Sequence, residues 1–468
     1  MGLQKSKRLE SGMVVDLRKF YNATDPGKTL AVDNPEDKKY YIDFSSVRGG
    51  EIIKKLKKKI TFFLPDAPTC VLFTGHIGCG KSTELLRLRT ELEHEGFHVV
   101  YFESSEDLEM TDVDISDVLL AIARRVSQSL DKLLLGEPSR LKELLQGAAK
   151  VLNSEVTGVK FKLPGVKLSG DSVGDVGITS DKEKFSLHLG IAEITTKAKS
   201  DATLREKLNQ YLGPQKTQLL EAINQELLEP AIASLKQQGK KGLVVIVDNL
   251  DRLDSRQKAF GRPQQEYLFV DQGEYLTKLN CHLVYTMPLA LKFSNDYGNL
   301  TQRFEEPRVL PMVPVQLRDG SECKAGMELL RQMILARAFP DLDEQQRLNN
   351  ISEIFDSPKT LDRLCRVSGG HVRDLLRLLN TWIMEEMELP LSGATLEAVV
   401  RARRNEMTMP ISDDEWELLR QVRQRKKVSG DQGYQTLIRS RLVFEYRDSG
   451  ESWFDINPIL AEAKELQP

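Results

Sequence analysis

Residues Gly75-His76-Ile77-Gly78-Cys79-Gly80-Lys81-Ser82 fit the spacing G-x-x-x-x-G-K-[ST], with Thr83 next in line. The chemistry this pattern offers is the holding of a polyphosphate. Gly75, Gly78 and Gly80 let successive backbone N–H groups turn inward around an anion, and Cys79 and Thr83 add their own N–H groups to the cradle. Lys81 can reach the β and γ phosphates, and the Ser82 hydroxyl can ligate Mg2+. A second stretch complements the first. In Gly242-Leu243-Val244-Val245-Ile246-Val247-Asp248-Asn249-Leu250-Asp251, branched apolar residues run straight into an aspartate. Such a run reads as a parallel strand buried on both faces, and Asp248 at its carboxyl end is placed to hold the magnesium of a bound nucleotide.

These residues need elements to position them. Cys70–Phe73 predicts a short strand before the loop, and Leu85, Leu86 and Leu88 begin an amphipathic helix behind it, whose positive dipole end faces the phosphates. Phe97–Phe102 predicts a second buried strand, and His282–Tyr285, ending in Thr286-Met287-Pro288, a fourth. Arg308–Val315 predicts a fifth, broken up by Pro311 and Pro314. A polar residue at Thr286 would lie between the loop and Asp248, where it could position the attacking water or sense the γ-phosphate. Ser368-Gly369-Gly370-His371-Val372-Arg373 breaks the chain and starts a helix whose first turn carries Arg373, within reach of phosphate oxygens. Tyr40–Phe44 reads as a short edge strand, and Ile52, Ile53, Leu56 and Ile60 as one face of a lysine-rich helix. Lys54, Lys55, Lys57, Lys58 and Lys59 on that helix read as a solvated face, with nucleic-acid contact as the alternative.

Between the second strand and the Asp248 strand lies a helical region containing a segment of different period. Val159, Phe161 and Leu163 alternate with lysines, and Phe185, Leu187, Leu189 and Ile191 alternate again. Residues 150–200 therefore read as a β-hairpin-like insertion, either a partner-binding arm or a decoration. The tail has two helices, begun by Trp416 and by Tyr434, then strands at Leu442–Tyr446 and Trp453–Ile456 around a turn at Asp448–Glu451. Helices followed by a hairpin make the winged-helix pattern. The organisation read from these signals is an N-terminal segment (1–49), a P-loop core (50–317), a helical lid (318–400) and a winged helix (405–468). The fold class is α/β, a three-layer parallel sheet with a β-rich insertion.

Composition narrows the functions. At 468 residues the chain is too long for one core, and a net charge of −3 excludes a wholly basic nucleic-acid coat. Its five cysteines are scattered without C-x-x-C spacing, which argues against a zinc site and for a reducing compartment. No run has the length and apolarity of a membrane span, and the protein reads as cytoplasmic.

The combination resembles the AAA+ P-loop ATPases, near the origin-recognition-like ATPases and the STAND regulators. The resemblance covers most of residues 40–468. It implies ATP as the nucleotide, Thr286 as the first sensor, Arg303 as an arginine finger and Arg373 in its GG-x-x-R setting as the second sensor. Arg303 reads equally as a surface ion-pair residue. One position departs from the pattern: Asn249 stands where a glutamate polarises the attacking water, and an amide cannot accept that proton. D-x-x-D arrangements in STAND-like relatives imply Asp251 as a substitute. Three functions follow from this reading: an ATP-dependent regulatory switch that forms a homo-oligomer or engages an effector, as in bacterial defence systems; a DNA-handling ATPase using its winged helix; or a scaffold that holds nucleotide without turnover.

Overall fold

The computed structural model describes residues 7–8, 14–130, 138–153, 187–258, 260–448 and 450–467. Five strands form one parallel sheet: β1 (Cys70–Thr74), β2 (His98–Glu103), β3 (Leu243–Asp248), β4 (His282–Met287) and β5 (Arg308–Val309), in the order β2-β3-β4-β1-β5. β3 and β4 are buried throughout, as branched apolar runs require when both faces are covered. The order matters more than the count. β4 pairs with both β1 and β3, so the phosphate-loop strand and the Asp248 strand end two inter-strand steps apart, roughly 10 Å. That gap at the carboxyl edge is wide enough for a phosphate chain.

Helix α1 (Ile52–Lys58) buries Ile53 and Leu56, as its period predicts, and α2 (Lys81–His94) follows the loop. α1 and α2 share a core with Phe73, Val244 and Ile246 on one sheet face. On the opposite face, α3 (Ile115–Ser129) and α4 (Ser139–Asn153) pack with α5 (Leu187–Ser200), α6 (Ala202–Leu212) and α7 (Lys216–Ile223). α5 corrects the expected hairpin-like insertion. Leu187, Ile191, Ile194 and Ala198 are buried at helical spacing, while Leu189 faces solvent. Alternation over five residues mimics a strand, and only burial against α3 and α4 reveals the longer period. Residues 150–153 likewise close α4, whereas Val159, Phe161, Leu163 and Phe185 lie outside the described residues.

Tyr40–Phe44 is not a strand. Its side chains are taken by other partners: the Tyr41 hydroxyl donates to Glu84 at 3.1 Å, and Phe44 lies under the Arg48 guanidinium. β5 is only two residues long because the chain then leaves the sheet, and the Met312 N–H donates to Glu445 O at 3.1 Å. Next come α8 (Lys324–Ala338), α9 (Pro358–Val367), α10 (Val372–Glu386) and α11 (Gly393–Thr408), which share a core with Val15, Phe20 and Phe44 from the N-terminal segment. The tail holds α12 (Asp413–Arg425), α13 (Gln432–Arg439) and the antiparallel pair β6 (Val443–Asp448) and β7 (Glu451–Ile456). This hairpin is not free. Phe444, Tyr446 and Trp453 are buried in the same core as Phe73, Cys79 and Leu85. Among the described residues, no helix is long and apolar enough to cross a membrane.

Candidate functional site

The loop from β1 to α2 lines a cleft together with Asp248, Asn249, Asp251, Arg252 and Arg373. Gly78 and Gly80 have φ of 95° and 102°, which only glycine adopts without strain. At Gly78 there is also no room: a Cβ would lie 2.7 Å from His371 Cε1 and 2.9 Å from Arg373 Cβ.

Lys81 is buried and folded back on its own loop. Its ammonium donates to Gly75 O at 2.9 Å and His76 O at 2.8 Å, and it pairs with Asp251 Oδ2 at 2.8 Å. Burial works against its charge, but the Asp251 carboxylate outweighs it and holds Lys81 above the usual lysine range. The other oxygen, Asp251 Oδ1, is buried without a hydrogen-bond partner. Asp251 thus meets the loop lysine, one turn past the strand end.

Asp248 is 1% exposed; Tyr101 Oη donates to its Oδ2 at 2.8 Å, and the Asn249 N–H to its Oδ1 at 2.7 Å. Ser82 also lies near the Tyr101 hydroxyl, so Ser82 and Asp248 neighbour the same oxygen. Burial and the charge of Asp248 raise Tyr101 well above its ordinary value, keeping it a protonated donor. Asn249 sits at φ 65°, and its Nδ2 donates to Glu103 Oε2 at 2.6 Å. Burial, then the charge of Asp248, push the Glu103 carboxyl above the usual range.

Arg373 reaches the cleft through α10, whose first turn is anchored on the loop: its N–H donates to Gly78 O at 3.1 Å. Burial first, then Arg252, Arg377 and Arg441, depress its guanidinium. Neither Arg252 nor Arg373 has a carboxylate within ion-pair distance among the described residues, so uncompensated cations crowd the cleft. An anion there would relieve them.

Thr286 is fully buried on β4 with its hydroxyl toward Val247 O at 3.4 Å, in the strand between the two halves of the site. Arg303 is elsewhere. It ends the helix Tyr297–Arg303, donates to Asp271 O at 3.2 Å and does not line the cleft.

Several residues escaped the sequence reading. Tyr101 and Glu103 carry a signal in principle, since their i, i+2 spacing on β2 puts them on one sheet face. Arg48, 3% exposed, donates to Cys79 O at 2.9 Å and braces the loop from behind, with no motif to announce it. His76 and His371 are buried and neutral. His371 Nε2 donates to Ile77 O at 2.8 Å while its Nδ1 accepts from the Asp374 N–H at 3.0 Å, and its ring stacks on Phe444. His76 Nε2 accepts the Glu445 N–H at 2.9 Å. Among the described residues no cluster of His, Cys, Asp and Glu suited to a resident metal ion occurs.

The profile of the KAP family P-loop domain matches residues 50–258. No curated protein matches the chain by sequence. Among solved structures, the chain is similar to a Walker-type ATPase of Pyrococcus abyssi, at 12% identity and a TM-score of 0.40 over 94% of this chain and 98% of that one. It is also similar to the ORC2 protein of Aeropyrum pernix in its ADPNP–ADP complexes, at 12% identity, TM-score 0.41 and 95% of each chain. The ORC1 protein of the same organism in complex with DNA follows at 13% identity, TM-score 0.33, over 88% of this chain and 91% of that one. These three likenesses are loose; the family profile and the parallel strand order support a P-loop nucleotide-binding domain within the chain.

Proposed function

We propose that the chain is an ATP-binding, ATP-hydrolysing regulatory switch of AAA+ or STAND type, in which α8–α11 act as a lid and the tail as a winged helix. The observation that carries this reading is the loop's double attachment. Its carbonyls at Ile77 and Gly78 are held by His371 and the Arg373 N–H of the lid, and its His76 by Glu445 of the hairpin. A loop that rearranges around phosphate therefore pulls on both neighbours at once. Phosphates would recruit Lys81 from Asp251 and engage Arg373 and Arg252. Ser82 and Asp248, hard oxygen donors lining one cleft, suit Mg2+, which would neutralise phosphate charge when bound. The exposed site of Arg303 suits a finger only toward another protomer. Engagement of a second copy or an effector, including a role in bacterial defence, is the output we assign to the switch.

The test is ATP affinity and particle size for wild type and Lys81→Ala, with and without ATP and Mg2+. Tight binding with a size change in wild type, both lost in the variant, is the expected result. Equal binding by both proteins overturns the reading. The DNA-handling alternative draws on Arg425 and Lys427, exposed on the tail without ion pairs among the described residues. Its neighbours are less free: Arg420 and Arg423 donate to Glu465 O and Leu466 O, and Lys426 pairs with Asp455 at 2.6 Å. A salt-sensitive duplex shift, lost on changing Arg425, Lys426 and Lys427 to glutamate, would favour that alternative.

A further inference from the structure

A phosphate-binding site needs a group to take the proton of the attacking water, and the residue after Asp248 cannot do so. Asp251 is engaged: its Oδ2 lies 2.8 Å from the Lys81 ammonium. A third carboxylate, Glu103, stands directly behind Asn249. β2 and β3 run parallel in a register that pairs Glu103 with Asp248. Val99, Val244 and Ile246 belong to the core on the α2 face, whereas Val100, Phe102, Val245 and Val247 belong to the other. Strand alternation therefore puts Tyr101, Glu103 and Asp248 on the face where α2 starts with Lys81 and Ser82. Glu103 is half-buried, reachable by water, and bonded to the Asn249 amide at 2.6 Å. Asn249 lines the cleft and Glu103 does not, so Asn249 stands between Glu103 and the cleft.

We propose that Glu103, on the strand beside Asp248, is the general base for ATP hydrolysis and that Asn249 is its latch. The inference rests on the ATP-hydrolysing part of the function proposed above. In the resting site the amide holds the carboxylate. A γ-phosphate in the cleft gives Asn249 a second acceptor and frees Glu103 to orient a water. The water oxygen bonds to the γ-phosphorus while the bond from that phosphorus to the β,γ-bridging oxygen breaks. The electron pair leaves with ADP, and the water's proton goes to a Glu103 carboxylate oxygen and thence to solvent.

The experiment measures ATP affinity, steady-state hydrolysis with Mg2+, and melting temperature for the full chain. Wild type is set beside Glu103→Gln and the exchange variant Glu103→Asn/Asn249→Glu. Glu103→Gln is expected to keep ATP affinity within about twofold and lose about 100-fold or more in turnover, the usual weight of a general base. The exchange variant, with its acid restored after Asp248, should recover at least about tenfold over Glu103→Gln. A Glu103→Gln protein that turns over like wild type overturns the inference, as does a folded exchange variant without recovery. Wild type that binds ATP without any turnover also overturns it, and leaves the nucleotide-gated switch standing. Wild type that fails to bind ATP removes the switch itself.

Discussion

The phosphate loop has two sides, built from opposite materials. Toward the cleft, contacts are ionic and exchangeable: Lys81 rests on Asp251, whose second oxygen has no partner, and Arg373 is crowded by other arginines. Toward α10 and the hairpin, contacts are close and less ionic: two buried histidines, one stacked on Phe444, and a glycine with no space for a Cβ. An ionic contact can trade its partner for a phosphate, because the cation keeps an anion beside it. A close neutral contact has no such substitute and can only move as a unit. In the switch proposed above, the cleft side would sense and the outer side transmit.

Lys81→Ala should produce the largest effect and test the cleft side directly. It removes ATP binding and leaves the Asp251 carboxylate buried and unpaired, at a cost of about 3 kcal/mol in urea denaturation. Adding Asp251→Ala should recover most of that stability and none of the binding. If stability and binding return together, the pair is not the exchangeable contact described here.

Gly78→Ala addresses the other side. The new methyl meets His371 and Arg373 at a left-handed φ, so a loss of about 2 kcal/mol is expected, with weakened ATP affinity. A stable, tight-binding Gly78→Ala protein would show that α10 is not seated on the loop.

The histidines give a pH signature that the cleft cannot. Burial first, then His371, Lys81 and Arg441, hold His76 well below its ordinary value. Burial likewise lowers His371, against the opposing pull of Asp374. Because the folded values are depressed, the unfolded chain takes up protons first as pH falls. Their contribution is whole above the unfolded value near 6.5 and is lost as pH drops toward the folded values. Each histidine contributes a slope of up to about 1.4 kcal/mol per pH unit. Denaturation at pH 7.0 and 5.5 should show the loss, and His371→Gln should flatten it. An unchanged slope in that variant assigns the acid sensitivity elsewhere.

The smallest effects separate two arginines. Arg373→Ala should weaken ATP binding about tenfold, the worth of one charge-assisted hydrogen bond, while Arg303→Ala leaves it within about twofold in the monomeric chain. Equal losses would place Arg303 in its own cleft, against its observed contact with Asp271.

The loop, Asp248, the strands and the Arg373 helix were legible because each is encoded within a dozen residues by motif or period. The segment 187–200 was misread for the same reason in reverse: a short alternating run satisfies two periods, and burial alone chooses. Arg48, Tyr101 and Glu103 were missed because their partners lie far away in sequence.

Taken alone, the sequence determined that a glycine-rich loop, a buried strand-end aspartate and a parallel α/β sheet would form, since glycine conformations and apolar runs are local properties. The tertiary structure decided the rest. Register between β2 and β3 brought Glu103 beside Asn249, the placement of β4 set the width of the cleft, and docking of the hairpin turned His76 toward Glu445. Those are pairings between distant segments, fixed by which faces could be buried together.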